Sequence, residues 1–219
     1  MKRIISLLIL AFSLLPMAAQ KVAEVPAAPT AATFFSRAPS DVAAWISTYS
    51  RLVMIDYFAH GSDVKTEGSL GQKSGLCSLD DRKLVWRDDD SVTSVIAVIP
   101  AQRADTLLVL IRTIASPVAD SRVSYYDRNW KPLSSAAYPQ PAFSDWLTDA
   151  GKKSRSDIES QLPFMMASAD FDPATETLTF VNTAEGFFPD GKKPDCLALL
   201  KKRLSYKWDG RKFILLKDE

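Results

Sequence analysis

The sequence contains very little histidine, and this shortage limits the kinds of catalytic or metal site that it can form. His60 is the only histidine among the 219 residues, and there are only two cysteines. Zinc sites draw most of their ligands from histidine and cysteine at short spacings, which this chain lacks. A Ser-His-Asp or Cys-His site would need His60 as its base. We interpret His60 as a capping or surface residue at a helix end, and we expect neither a metal nor a cofactor.

Two motifs that are common in enzymes are also missing. The chain has no Gly-x-Ser-x-Gly segment, which forms the nucleophile elbow of many hydrolases. The segment Ser69–Gly75 contains glycines and a lysine, but it lacks the Gly-Lys-Ser/Thr ending of a phosphate-binding loop. We interpret this segment as a mobile loop that offers a contact surface, because binding residues often collect on loops.

A carboxylate-based site does not need histidine, and it is the alternative that remains for an enzyme. Glycoside hydrolysis, for example, uses two carboxyl groups. Asp56 lies among apolar residues of a predicted helix, and Asp170, Asp172 and Glu176 surround a turn. This turn has the oxygen ligands of a calcium loop but lacks its glycine and third acidic position. A helix surface and an Asp-Pro turn explain the same residues, so we name no catalytic or metal-binding residue.

Neither sign of charge is in excess, and no apolar run is long. The chain has 27 basic and 26 acidic residues, and no run of one sign, such as Asp88–Asp90, is longer than three residues. Nucleic-acid-binding proteins carry a basic face or stripe, so we expect no nucleic-acid partner. A membrane-spanning helix needs roughly 20 consecutive apolar residues. No run reaches that length, and we therefore expect no integral membrane span.

The N-terminus has the order of regions that is typical of a secretory signal peptide. The chain begins Met-Lys-Arg, continues with the apolar run Ile4–Leu15, and then reaches Pro16 and small residues. A basic start, an apolar run of about a dozen residues and a small-residue cleavage site direct export. We predict that residues 1–19 are cleaved, that Gln20 becomes the N-terminus, and that the protein is periplasmic or extracellular. A retained N-terminal anchor is the alternative.

Export leaves the state of the two cysteines open. Disulfides persist in oxidising compartments, so Cys77 and Cys196 could form one. The spacing of Cys196 from two neighbouring leucines on a predicted helix also fits a buried free thiol. Only the separation of the two side chains decides between these alternatives.

The chain after the signal peptide divides into a leader and two segments. Residues 20–33 are rich in alanine and proline and predict a flexible leader. In Ser40–His60, apolar residues recur at helical spacing after a good N-cap, which predicts one helix or two short ones. Strands at spacings of about ten residues with no helices between them favour an antiparallel meander. The predicted strands are Leu76–Leu79, Lys83–Arg87, Ser91–Ile99, Thr106–Ser116 and Arg122–Tyr126.

Residues 139–219 predict a smaller half of helices and hairpins. The sequence Asp209-Gly210 between two aromatic and apolar runs is a strong hairpin signal. The predicted helices are Phe143–Leu147, Ser156–Leu162 and Lys192–Lys202, and the predicted strands are Phe164–Phe171, Thr177–Asn182, Leu204–Trp208 and Lys212–Leu216. The fold class is therefore α+β, with an N-terminal helix or helix pair packed on a mainly antiparallel sheet in residues 34–138. The helix-and-hairpin half packs on it as one unit.

Four aromatic residues in two similar segments are the candidates for a binding surface. They are Tyr125, Trp130, Tyr206 and Trp208. If these side chains share one exposed sheet face, they form a platform for a glycan or a peptide. The alternative is that they belong to the core, because aromatic side chains dominate core energetics.

Several segments resemble a known family. They are Arg51–Tyr57, Gly71–Leu76, Asp120–Ser121, Tyr125–Trp130 and Tyr206–Phe213. They resemble a family of exported proteins of Bacteroidetes (Bacteroidales) bacteria, the domain of unknown function 3256, over nearly all of the mature chain. The resemblance implies an envelope location and no functional residue, since the family has no assigned activity.

We therefore interpret the chain as an exported envelope protein and as a non-enzymatic binding or accessory module. Its expected partner is a protein, peptide or glycan of the envelope. The alternatives are a carboxylate-based hydrolase and a structural assembly subunit.

Overall fold

The computed structural model describes residues 28–68, 71–102, 105–134, 136–189 and 191–217. The predicted signal peptide and residues 20–27 of the predicted leader lie outside these ranges. The fold has two antiparallel sheets and a few short helices, which confirms the α+β class. The helices are α1 (Ala31–Ser36), α2 (Thr48–Ala59), α3 (Asp149–Lys153) and α4 (Arg155–Gln161).

The larger sheet is a meander in which seven strands follow one another in chain order. Every neighbouring pair is antiparallel, as the strand spacing predicts. The strands are β1 (Lys65–Glu67), β2 (Lys73–Leu79), β3 (Lys83–Arg87), β4 (Val92–Ala101), β5 (Asp105–Ile114), β6 (Asp120–Asp127) and β7 (Pro132–Leu133).

The smaller sheet contains the two predicted hairpins in the order β11-β10-β9-β8. Asp209 stabilises the last turn, since its carboxylate accepts the N–H groups of Arg211 and Lys212, both at 2.8 Å. Gly210 in this turn has φ 95°, which favours glycine. The strands are β8 (Ala167–Asp172), β9 (Thr177–Asn182), β10 (Arg203–Trp208) and β11 (Phe213–Leu215).

The larger sheet lies between two apolar layers. One face of β4 and β5 packs against α1, α2 and the turns between them, through residues such as Ile96 and Leu108. The other face packs against the smaller sheet and the C-terminal helices, through residues such as Val95 and Val109. Consecutive residues of these strands are therefore buried on opposite sides. This double burial explains why both strands are nearly continuous apolar runs.

The N-terminal layer differs from the predicted helix Ser40–His60. Only Thr48–Ala59 is helical, and Ser47 is the N-cap, with its hydroxyl accepting the N–H of Ser50 at 3.0 Å. The preceding residues form turns in which the Val42 carbonyl accepts a hydrogen bond from the Arg112 guanidinium at 2.6 Å. A longer helix would occupy that carbonyl with a bond of its own.

The predicted leader also ends earlier than residue 33. Helix α1 begins at Ala31, after an N-cap at Thr30 whose hydroxyl accepts the N–H of Thr33 at 3.3 Å. Phe34 and Phe35 of this helix are buried against the sheet. Tertiary burial therefore stabilises a six-residue helix that has too few residues to be stable alone.

The predicted helix Lys192–Lys202 is wrong, because only a 3-10 turn forms at Asp195–Leu199. The next residues are extended, and Leu200 pairs with Leu147 in an isolated β-bridge. Helix α3, which no pattern predicted, begins in the segment after Leu147. A Cβ atom at Gly151 would lie 2.4 Å from the Leu199 carbonyl oxygen, so glycine allows the two segments to approach this closely.

A buried carboxylate lies under the N-terminal layer. Asp88 accepts hydrogen bonds from the Trp86 indole at 2.8 Å and from the Ser94 hydroxyl. Arg112 donates to Ser94 at 3.4 Å and adds a favourable charge. Burial raises the pKa of Asp88 even though these groups oppose the rise. Ser74 donates to the Asp88 backbone carbonyl at 2.7 Å, so the network joins four neighbouring strands, β2 to β5.

We expect Asp88→Asn to remove one pH-dependent part of the stability. Because the folded state holds this proton more tightly than the unfolded state, the Asp88 contribution to the free energy of unfolding falls as pH rises above the ordinary carboxyl pKa. The advantage of the wild type over the variant should therefore shrink as the pH rises above about 4, the ordinary pKa of an aspartate side chain. Urea unfolding followed by tryptophan fluorescence measures it. Exposed Asp90→Asn is the control, and a difference that grows with pH would contradict the assignment.

Candidate functional site

Helix α2 is apolar on two opposite faces. Its inner face places Met54 and the partly buried Ile55 and Phe58 against the sheet. Its other face, together with the preceding turn, exposes four large apolar side chains to solvent. These are Trp45, Tyr49, Leu52 and Tyr57, and we call them the outward face of α2.

The helical period separates these two sets cleanly. Tyr49, Leu52 and Tyr57 are three and eight positions apart, which places them on one side of the helix. Met54 and Phe58 are four apart and lie on the other side. Tyr49 is 77% exposed and Leu52 is 52% exposed. A surface helix normally has a polar outer face, so this arrangement marks a surface that a partner would cover.

Buried Arg51 determines which side of α2 points inward. One of its terminal nitrogens donates to the carbonyl oxygens of Phe35 at 2.9 Å and Ala38 at 2.6 Å. The other donates to Thr48 at 3.0 Å. Burial lowers the pKa of Arg51. These carbonyls at the end of α1 replace part of the water that the guanidinium has lost, whereas its buried Nε has no hydrogen-bond partner among the described residues. The bonds hold α1 and α2 together and leave the aromatic residues outside.

A second surface feature lies beside the β1–β2 hairpin. It is a cleft of about 910 Å³, a size within the range of small-molecule sites. Three basic and three acidic side chains line it, namely Lys65, Lys73, Arg87, Asp63, Asp89 and Asp90. None of the ion pairs formed among the described residues includes any of these six.

The segment predicted as a contact loop contributes to this cleft. Gly71, Gln72, Lys73 and Gly75 line it, whereas residues 69 and 70 lie outside the described ranges. Most of the segment is strand, because β2 begins at Lys73. The segment therefore contributes to a surface cleft, but its second part is a strand of the larger sheet and not a loop.

The four aromatic candidates do not share an exposed face. Tyr125 and Trp208 are buried between the two sheets, and Tyr206 packs beside them. Trp130 packs on the opposite side of the larger sheet, with its ring centroid 5.4 Å from that of Tyr126. The platform interpretation is corrected accordingly: strand periodicity directs three of these side chains into the core, and the β6–β7 turn directs Trp130 away from them.

His60 and Asp56 lie at the surface of α2. His60 is the C-cap residue, and its Nδ1 lies 2.7 Å from the backbone oxygen of Asp56 and 3.6 Å from its carboxylate. Both side chains are exposed. The helix period turns Asp56 outward with Leu52, which agrees with the helix-surface interpretation of this residue.

The acidic turn is held by separate contacts rather than by a shared site. Asp170 pairs with Lys83 at 2.6 Å, and Glu176 pairs with Arg82 at 2.8 Å. Asp172 accepts the Thr175 hydroxyl at 2.6 Å, which lowers its pKa. Among the described residues, no group of three or more His, Cys, Asp or Glu side chains could hold a metal ion.

Both cysteines are free. Cys77 is exposed at a bulge in β2, where the register shifts between Leu76 and Ser78. Cys196 is buried in the core between the sheets, as the free-thiol alternative supposed.

The short motif Asp120–Ser121 joins the two sheets. The Asp120 carboxylate accepts the N–H of Ala167 at 3.1 Å, and the Ser121 hydroxyl accepts the N–H of Ala169 at 2.8 Å. These N–H groups belong to the edge strand β8, whose outer side would otherwise need water. The motif is therefore structural.

Sequence reasoning did not identify the outward face of α2. The signal was present, since large apolar residues on two opposite sides are unusual for a surface helix. It was hidden because the same residues equally fit a fully buried helix.

Comparisons with known proteins agree on a fold and give no activity. The family model described as Protein of unknown function (DUF3256) matches residues 23–213. A solved domain of an uncharacterized protein from Porphyromonas gingivalis W83 is similar with a TM-score of 0.71 and 19% identity. The match covers 87% of this chain and 100% of that domain. No curated protein matches the chain, and in the described ranges no helix is long and apolar enough to cross a membrane.

We expect alanine substitutions to distinguish the two faces of α2. Leu52→Ala should change the free energy of unfolding by less than about 0.5 kcal/mol, because the side chain is exposed. Met54→Ala should cost about 2–5 kcal/mol, because it leaves a cavity in the core. Both positions are in the middle of the helix, so helix propensity affects them alike. Equal losses in urea unfolding would contradict the orientation of α2.

Proposed function

Because the chain belongs to the DUF3256 family of proteins of unknown function, we propose its role from its surfaces: an exported envelope protein that binds a protein or peptide partner through the outward face of α2. The observation that carries the proposal is the exposure of Tyr49, Leu52 and Tyr57 on one side of α2 and of Trp45 in the preceding turn. Large exposed apolar patches with a polar surround mark interaction sites.

The chemistry of this face favours a protein or peptide over a glycan. Tyr49 and Tyr57 are aromatic, but Leu52 lies between them along the helix and Val53 lies beside it. An aliphatic centre flanked by aromatic side chains fits an apolar groove, in the way that amphipathic helices insert anchors at positions i, i+3 or i+4, and i+7 or i+8. Tyrosine and tryptophan are also the residues that most often dominate binding energies.

The face is held ready for binding before a partner arrives. Ser47 caps the helix, Arg51 binds the end of α1, and the Thr66 hydroxyl donates to the Met54 sulfur at 3.4 Å. The outward side chains therefore sit on a helix that is fixed at its start and in its middle. Preorganisation of this kind lowers the entropic cost of association.

Export is supported by the N-terminal sequence. The basic start, the apolar run Ile4–Leu15 and the small residues after Pro16 have the arrangement of a cleaved signal peptide. A binding module without an assigned reaction fits the envelope, where accessory proteins act on neighbouring proteins. The proposed mature chain begins at Gln20.

We expect Leu52→Glu and Tyr49→Glu to reduce partner binding strongly. A charge at the centre of an apolar interface should cost at least about 2 kcal/mol, roughly thirtyfold in Kd. The measurement is capture of partners from an envelope extract by cross-linking, followed by titration of the captured partner with each variant.

Ile214→Glu is the matched control, because Ile214 is an apolar residue of 46% exposure on β11. It should bind the partner as the wild type does. Equal retention of the partner by all three variants would contradict the proposed role of α2. The same holds if the wild-type protein captures no more than Leu52→Glu does.

We expect the protein in the envelope fraction to begin at Gln20, or within a residue or two of it. Mass spectrometry of the intact protein measures this. A charge in the apolar run, as in Leu8→Arg, should retain the uncleaved chain in the cytosol. Recovery of wild-type protein with Met1 from the cytosolic fraction alone would contradict export.

A further inference from the structure

The cleft beside the β1–β2 hairpin is separate from the outward face of α2. The strand register pairs Lys65 with Gly75 and Gly75 with Arg87, so these three residues lie in one row on one face of the sheet. Lys73 lies two residues before Gly75 and shares that face. Leu76 follows Gly75 on β2 and points to the opposite face, where it is buried toward α2. The row of Lys65, Gly75 and Arg87 therefore points away from the helix.

The smaller sheet does not cover this part of the larger one. Its strand β8 lies against β5 and β6, so β1 and β2 extend beyond it. Lys65, Lys73 and Arg87 are all exposed. The cleft therefore opens at this uncovered end of the sheet, and Phe58 and Leu76 also line it from the helix side.

Gly75 forms the low floor of the cleft. A Cβ atom there would lie 3.5 Å from Cγ of Lys65 and 3.9 Å from the Asp63 carboxylate. The absence of a side chain leaves space between Lys65 and Arg87 on the two neighbouring strands. A basic and an acidic side chain thus both lie close to the backbone of Gly75, which is itself largely buried.

The charged side chains of the cleft form no ion pairs within the described residues, although Asp89 is hydrogen-bonded in a turn. Asp89 accepts the N–H groups of Ser91 at 2.7 Å and Val92 at 2.8 Å, and these bonds form the β3–β4 turn. The three basic residues, Asp63 and Asp90 take part in no ion pair of the described chain. A ligand that carries charge of only one sign would be repelled by half of the charged side chains that line the cleft.

We propose that the cleft binds a zwitterionic small molecule, one that carries an oxyanion and an ammonium group. The oxyanion would lie over Gly75 and contact Arg87 and Lys65, because guanidinium and ammonium groups bind carboxylates and phosphates. The ammonium group would contact Asp63 or Asp90 at the rim. Peptides with free termini and phosphate esters of amino alcohols share this chemistry.

Titrations followed by NMR of the Gly75 and Cys77 amides test the proposal, since both residues line the cleft. The probes are glycylglycine and phosphoethanolamine, with acetate, inorganic phosphate and ethylamine as compounds that carry one charged group. We expect saturable shifts with each zwitterion, and binding about two- to fivefold tighter than that of its one-group counterparts. The zwitterion that binds more tightly shows whether the ligand is a peptide with free termini or a phosphate ester of an amino alcohol.

Two variants test the basic half and the acidic half of the site separately. Arg87→Gln and Asp63→Asn should each weaken zwitterion binding about two- to fivefold, and Asp63→Asn should leave phosphate binding no weaker. Lys207→Gln, an exposed cation on β10, is the matched control and should change nothing. The proposal is overturned if one-group ions bind as tightly as zwitterions, or if about 10 mM zwitterion, roughly ten times a millimolar Kd, gives no saturable shift.

Discussion

Strands β4 and β5 are buried on both faces, and this double burial is the constraint on which the other layers depend. A sheet whose two faces are both apolar needs two covers, and each fully buried aliphatic side chain contributes about 1.5–3 kcal/mol. The N-terminal helices supply one cover and the smaller sheet supplies the other. Strands β1 and β2, at one end of the larger sheet, extend beyond the second cover, so the cleft lies where that cover ends.

Buried polar groups hold the N-terminal cover in one orientation. Arg51 binds the carbonyls at the end of α1, and Arg112 binds the Val42 carbonyl in the following turn. Unpaired burial of such groups would cost several kcal/mol, so only an orientation that pairs them is stable. The outward face of α2 follows from this arrangement, because the side of the helix that carries Arg51 must point inward.

Strands of both sheets could be predicted because β-branched residues and regular turns act locally. Lys83–Arg87 and Thr177–Asn182 have the bounds that the sequence predicts. The helix predicted at Lys192–Lys202 was wrong because Leu200 pairs with Leu147, a contact between residues distant in the chain. The prediction of an aromatic platform failed for a similar reason. Tyr125 and Trp208 come from different sheets and point into the core between them, and neither segment alone reveals that core.

The sequence by itself determined the α+β class, the antiparallel meander, the C-terminal hairpin and the signal-like N-terminus, because each depends on spacing and turn chemistry within a few residues. Only the tertiary structure decided which apolar residues of α2 remain exposed and which charges surround Gly75. Both depend on where the two covers of the sheet end, and that position is set by contacts between segments that lie far apart in the chain.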